Sequence, residues 1–484
     1  ADLEAAGLVP DASARRAAIL ADAARLTTAD GGTVDAGRWA GVVDEVVNLI
    51  EAPTVVVGAF DPSFLELPPE VLTSVMTKHQ RYLPVTDGDG ALRPAFVTVA
   101  NGACDPDVVR RGNEAVIGAR YADAAFFVAR DRESSAEEMA GRLATLTFDR
   151  RLGSMRDRVD RIAATSLELA ADLAVDPATA ETVRRAGPLA KFDQGSSMVT
   201  EMTSLAGTMA LHYGRDFGLG DDVSRAIAEA ELPRGAGDEV PTTLAGALLS
   251  LADRLDLLTA LLAVGAEPTG SADPFGLRRA ARGVVLVASS GLAPPLDGFS
   301  VRAGLEQTNA HLPVDRPDGL VDDAAAFVRR RFEQLLLDRG HRHDLVQAAL
   351  LHADTPRRAV EVLDELGAAV ADDGFGLVAD ALKRADRLVG DTDRAALPPV
   401  DPARFDDPTE VALLAAVEAV EGAGATTPAD YLAAAAPMAA ALNDCLDAVM
   451  VMADDEAVRS NRLALLTRVV ATGAAVVDWN RIEG

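Results

Sequence analysis

The chain has 484 residues, enough for about two to four domains with cores of their own, since single cores stop growing at roughly 250 to 300 residues. Hydrophobic residues make up 49% but aromatics only 4%, a mix dominated by Ala, Leu and Val that suits closely packed helices. The formal net charge of −29 excludes a protein that grips nucleic acid over its whole surface, so RNA contact would need local patches of cations. Those cations are almost all Arg, because lysine occurs only at Lys78, Lys191 and Lys383; Arg suits bidentate phosphate contacts, although a GC-rich genome accounts for the bias more simply.

From the N-terminus, Ala1-Asp2-Leu3-Glu4 lacks the basic-then-apolar layout of a signal peptide, and no apolar run reaches the roughly 18 residues of a membrane span. The first residue is not Met, so a processed or excerpted piece of something longer is expected. Cys104 and Cys445 stand alone without a CxxC partner; neither a zinc site nor a disulfide framework is indicated, and a reducing cytoplasm fits. An amphipathic helix is predicted over about 12–28 and a second over about 36–50, separated by Asp30-Gly31-Gly32. Thr54-Val55-Val56-Val57 reads as a strand. Residues 81–85 and 93–99 read as a hairpin across Asp87-Gly88-Asp89-Gly90, with Pro84 and Pro94 pushing both strands toward an edge.

Helical periodicity prevails from about Arg110 to Gly390. Within it, one helix is predicted to end at Gly265, followed by the turn-rich 265–271 connector and a second helix starting near Asp273, with Pro274 at its first position and Phe275 buried. Leu397 to Pro408 reads as a linker and 409–484 as a last helical unit. The expected fold is therefore mainly α and multidomain: an N-terminal α+β unit over 1–150, helical units over 151–290 and 291–396, and a C-terminal helical unit over 397–484.

No glycine-rich phosphate loop, HExxH or GxSxG is present. His343-Asp344 is the one His-Asp dipeptide, read as an Asp capping a helix start rather than half of a metal site. His79 is read as a hydrogen-bonded structural residue at a strand entrance. Arg329-Arg330-Arg331 and Lys383-Arg384 are further basic clusters. In the last unit Arg459, Arg462 and Arg468 lie near one helical face with Asn461 beside them, a surface chemically adequate for single-stranded RNA; ion pairs with Asp454, Asp455 and Glu456 would use the same arginines. Arg278, Arg279 and Arg282 are open to two readings as well, a groove facing RNA or pairing with Asp253 and Asp256, the latter favoured by closeness in sequence.

Five blocks resemble the beta subunit of the bacterial two-subunit glycyl-tRNA synthetase. They are Lys78-His79-Gln80-Arg81-Tyr82 with Phe96 to Gly102; Gly112-Asn113-Glu114-Ala115-Val116 with Arg120 to Phe127; Leu152-Gly153-Ser154-Met155 with Leu189 to Asp193; Ala252-Asp253-Arg254-Leu255-Asp256 with Pro268 to Ala281; and Asp447 to Asp455 with Arg459 to Leu466. Each could be chance alone; five in family order are not. Ser196 to Gly207 keeps only part of the family's T-E-M-V-x-E-F run, and Ala226 to Pro233 lacks its His-Tyr pair. The resemblance implies an HD-like fold for 151–290 and an anticodon-binding-like fold for 397–484. It further implies a tRNA-recognition chain with no catalytic or metal-ligating residue of its own, its partners being tRNA(Gly) and an alpha subunit or fused alpha portion that holds ATP and Mg, with no DNA or membrane partner. Arg459, Asn461, Arg462, Arg468, Arg278, Arg279, Arg282, Lys383 and Arg384 are the candidate tRNA-binding residues. A metal-dependent HD-type phosphohydrolase and a diverged, non-catalytic scaffold are the alternatives.

Overall fold

A computed structural model describes residues 7–29, 31–235, 237–266 and 273–483, with the side chain of Asp373 left aside. Most of the 265–271 connector and the first six residues lie outside the described residues. The chain divides into two compact units, one made of 1–147, 154–156 and 189–228, the other of 148–153, 157–188 and 229–484. Helices dominate both.

In the first unit α1 (Ala12–Thr28) starts on the Asp11 carboxylate, which accepts the Ala14 N–H at 2.7 Å, and α2 spans Ala40–Leu49. Strands β1 (Pro53–Ala59), β2 (Leu83–Thr86) and β3 (Leu92–Asn101) form an antiparallel sheet in the order β1-β3-β2. Ile19, Val43, Val46, Val47, Leu83, Val85 and Val97 make one core, so both helices cover the same side of the sheet. The predicted hairpin is present. Asp87 organises its turn by accepting the N–H groups of Asp89 and Ala91, and Gly90 takes a φ of +84° that an L side chain resists. One expectation fails: β3, with Pro94, is central rather than an edge. Its missing N–H is tolerated because the β2–β3 register breaks between Pro84 and Thr86, placing Pro94 opposite a bulge. A 27-residue helix, α3 (Pro106–Arg132), begins on the Asp105 cap with Pro106 at its first position.

In the second unit the principal helices are α4 (Met155–Asp172, from residue 157 onward), α5 (Leu244–Ala263), α6 (Leu277–Ala288) and α7 (Leu320–Asp338). Helix α5 is apolar nearly all round and buried nearly all round, as such a pattern requires; it packs on α6 and α7, which also pack on each other. The start of α6 differs from the sequence reading. Pro274 sits in the preceding turn, Gly276 provides a left-handed N-cap with φ +73°, and the Asp273 carboxylate reaches forward to the N–H groups of Leu277 and Arg278 at 2.8 and 3.0 Å. Phe275, expected to be buried, is 56% exposed, because the turn ends before the chain re-enters the core.

The chain then builds α8 (Asp373–Val389), α9 (Pro408–Ala423), α10 (Pro428–Ala448) and α11 (Glu456–Gly473). Helix α8 packs on α10 and α11, and α9 on α10. Gly473 lets Trp479 and Tyr431 close in on α11: a Cβ there would stand 2.6 Å from the indole Nε1, which donates to the Gly473 carbonyl at 3.2 Å.

Candidate nucleic-acid interface

Several resembling blocks prove to be mutual hydrogen-bonding partners inside the first unit. The Tyr82 hydroxyl donates to the Asn113 side chain, Glu114 accepts the Ala59 N–H at 2.9 Å, and Asn101 accepts the N–H groups of Glu51 and Ala52. Asp193 is fully buried and receives the N–H groups of Gly207 and Ala210, while Asp131 receives those of Ser197 and Met198 and the Tyr213 hydroxyl. Burial and the adjacent Asp131 charge push the Tyr213 pKa well above its ordinary value, so its proton stays in place. These motifs hold the fold. His79 is exposed at the end of a π-helical turn, and among the described residues its side chain has no hydrogen-bond partner, unlike the expectation; it lines a small recess with Arg120, Asp123 and Glu201.

The Ala252 to Asp256 motif on α5 is a buried polar junction. Asp256 is fully buried and accepts Arg161 Nε at 2.6 Å, a second Arg161 nitrogen at 3.2 Å, and Arg158 Nε at 3.2 Å; Asp253 accepts Arg158 at 2.8 Å. Burial opposes the charge on Arg158, yet Asp253 and Asp256 outweigh it and leave its pKa raised. The acids of α5 therefore pair with α4, and among the described residues Arg279 and Arg282 make no ion pair with them, although closeness in sequence suggested one. Arg254 turns the opposite way. Its guanidinium donates to the carbonyls of Ala230, Glu231, Pro233 and Ser250, reaching them past Gly283, where a Cβ would lie 2.3 Å from Arg254 Nε.

The arginines of α6 lie toward α7. Arg278, Arg279 and Arg282 line a recess of about 200 Å³ together with Arg331 and Gln334 of α7. Arg282 pairs with Asp338 at 3.3 Å and Arg279 is exposed. Sequence reasoning noted Arg329-Arg330-Arg331 separately, but no local signal joins Arg331 to a cluster some fifty residues upstream.

The C-terminal candidates separate into core and surface. Asn461 is 1% exposed and both ends of its amide are taken by Asp401, accepting its N–H at 2.7 Å and donating to its carbonyl at 3.0 Å. Arg462 is also buried, gripping the fully buried Glu410 through two nitrogens at 2.8 and 3.2 Å. The expectation that this pair faces RNA is corrected: one closes the 397–408 segment onto α11 and the other joins α11 to α9. Burial pushes the Glu410 carboxyl upward, but Arg462 and the N–H groups of Asp406 and Asp407 hold it below its usual range. Arg459 donates to the Ala453 carbonyl and Arg468 pairs with Glu421 at 2.6 Å, so neither pairs with the acids one turn earlier. Lys383 lies 3.5 Å from Asp380 inside α8, and Arg384 is exposed beside Asn443 and Asp447.

His343-Asp344 begins a short helix, but Arg342 occupies the cap position. Asp344 instead receives Arg342 through two nitrogens and the Glu483 N–H, so the capping role expected of it gives way to a tie to the C-terminal residues. Among the described residues there is no group of three or more His, Cys, Asp or Glu able to hold a metal ion, and no helix long and apolar enough to cross a membrane.

A family model described as the glycyl-tRNA synthetase beta subunit matches residues 1–351. The glycine–tRNA ligase beta subunit of Anaeromyxobacter dehalogenans (strain 2CP-C) is 40% identical over 495 residues, covering 100% of this chain and 69% of its own length. That of Shouchella clausii (strain KSM-K16) is 35% identical over 486 residues, covering 98% and 69%. The chloroplastic/mitochondrial glycine–tRNA ligase 2 of Arabidopsis thaliana is 35% identical over 446 residues; this chain spans 41% of its length. With the match running through the buried junctions of both units, the chain belongs to the glycyl-tRNA synthetase beta subunit family.

Proposed function

We propose that this chain is the beta subunit, or the beta portion of a fused chain, of a glycine–tRNA ligase. It binds tRNA(Gly) and supports ATP-dependent glycylation carried out by an alpha subunit, where ATP and Mg reside; the chain itself supplies no catalytic group, and the setting is the cytoplasm. The observation that carries this reading is identity of 35–40% to bacterial beta subunits across essentially the whole chain. The acidic balance leaves RNA contact to discrete patches, and the surface cations Arg279, Arg384, Arg459 and Arg468 suit that role. Exposed ion pairs such as Arg468–Glu421 are worth little, so exchanging a carboxylate for a phosphate is inexpensive. The hydrolase alternative is disfavoured by the α5 junction, since a cation at Asp253 and Asp256 would have to displace two buried guanidinium groups.

Aminoacylation of tRNA(Gly) with an alpha partner, in the presence and absence of this chain, tests the reading. Stimulated glycylation and retardation of tRNA(Gly) at low salt are expected. Equal retention of unrelated tRNAs, or no stimulation, would overturn it.

A further inference from the structure

Among the described residues, the recess between α6 and α7 is lined by arginines and by no carboxylate. Arg279, Arg282 and Arg331 meet there, while Asp273 accepts two backbone N–H groups at the start of α6 and Asp338 accepts Arg282 and the Gln334 amide. The Nε atoms of Arg282 and Arg331 are buried without an acceptor. A buried donor left unmatched costs free energy, and more so on a cation. The Phe327 ring lies 5.3 Å from the Arg331 guanidinium carbon, and burial with the neighbouring Arg278 and Arg330 charges outweighs Asp273 and pulls its pKa below the usual value. Gly283 and Leu286 form an apolar wall, and Arg254 anchors the Pro233 side from behind. Since a water needs only about 10–15 Å³ of such space, the recess admits a group several times larger.

We propose that this recess is a binding site for a phosphate group, held by the arginine forks of Arg331 and Arg282 with Arg279 at the mouth. Planar guanidinium groups match phosphate oxygens in pairs, and the anion supplies the acceptors that the Nε atoms of Arg282 and Arg331 lack. A free nucleotide and an RNA chain share this chemistry. The site itself stands apart from the beta-subunit reading, and only its assignment to RNA rests on that reading.

The test is protection of the full chain against thermal unfolding by inorganic phosphate, compared with chloride at matched ionic strength, in the wild type, Arg331→Gln and Arg279→Gln. Phosphate stabilises the wild type, and each substitution weakens its affinity about tenfold, as loss of a charge-assisted contact implies. Arg279 is exposed, so its variant folds even where Arg331→Gln does not. No protection beyond that of chloride, or variants that respond like the wild type, would overturn the site. Gel retardation of a tRNA(Gly) transcript then identifies the source. Retention falling with phosphate affinity assigns the site to RNA, and unchanged retention assigns it to a free nucleotide. A chain that binds phosphate but retains no tRNA keeps the site and removes the beta-subunit reading.

Discussion

Replacing Arg462 with Met removes two hydrogen bonds to Glu410, one to the Met450 carbonyl and an exposed contact to Asp406, while keeping a side chain of similar length in α11. The consequence is set by what remains. Glu410 is fully buried, and once its cation is gone only the N–H groups of Asp406 and Asp407 face its charge. Breaking a buried pair from one side costs about 3–5 kcal/mol. With a urea slope of about 2 kcal/mol/M, the midpoint of the C-terminal helices falls by about 1.5–2.5 M. The chain has two tryptophans, Trp39 and Trp479, and Trp479 is buried against Tyr431 and Phe375, so urea titration by fluorescence in a Trp39→Phe background reports on the second unit from within these helices. The pH dependence follows from the depressed Glu410 pKa: in the wild type its stabilisation is present above the unfolded carboxylate pKa of about 4.3 and is lost as pH falls through the lower folded value. In the variant burial dominates and raises that pKa, so the penalty is full at neutral pH and relaxes on acidification. The gap between the two proteins therefore narrows below about pH 5. A variant within about 1 kcal/mol of the wild type at pH 7, or a gap that widens in acid, would refute the reasoning.

Asn461→Ala deprives Asp401 of both amide contacts; it should cost about 1–3 kcal/mol and speed hydrogen exchange in 397–408 ahead of α11. Asp256→Ala leaves Arg161 and part of Arg158 buried without their carboxylate, and urea unfolding of the second unit should register a loss of about 3–5 kcal/mol. Gly283→Ala puts a methyl group 2.3 Å from Arg254 Nε, and calorimetry should show a destabilisation of about 1–3 kcal/mol. By contrast Arg468→Ala breaks only solvent-accessible pairs, with Glu421 and Glu418, so stability should stay within about 1 kcal/mol; if Arg468 meets an RNA phosphate, the salt dependence of tRNA(Gly) retention should flatten by about one unit of slope.

What could be read from the residues alone was whatever is encoded locally. The 87–90 turn, the alternation on either side of it, and the first two helices are short-range chemistry, and they appear where expected. Pairing was not legible. The acids of α5 have cations twenty-odd residues downstream, but they bind Arg158 and Arg161 about 95 residues upstream, because α4 and α5 are neighbours in space. The same gap hid the role of Asn461, which looks like a surface amide beside two arginines until Asp401, 60 residues away, closes on it. It also hid the phosphate-sized recess, whose two halves belong to separate helices. Phe275 failed differently: hydrophobicity alone does not decide burial at a turn whose direction is set by Asp273 and Gly276.

The α4–α5 junction also dictates where this polypeptide can be cut. A fragment beginning at Glu229 would carry Asp253 and Asp256 into its interior without Arg158 or Arg161, since residues 157–188 belong to the same body although 189–228 intervenes. Dissection by simple truncation would thus yield a piece with stranded charge, whereas a spliced clone joining 157–188 directly to 229 onward would keep Arg158 and Arg161 with their carboxylates.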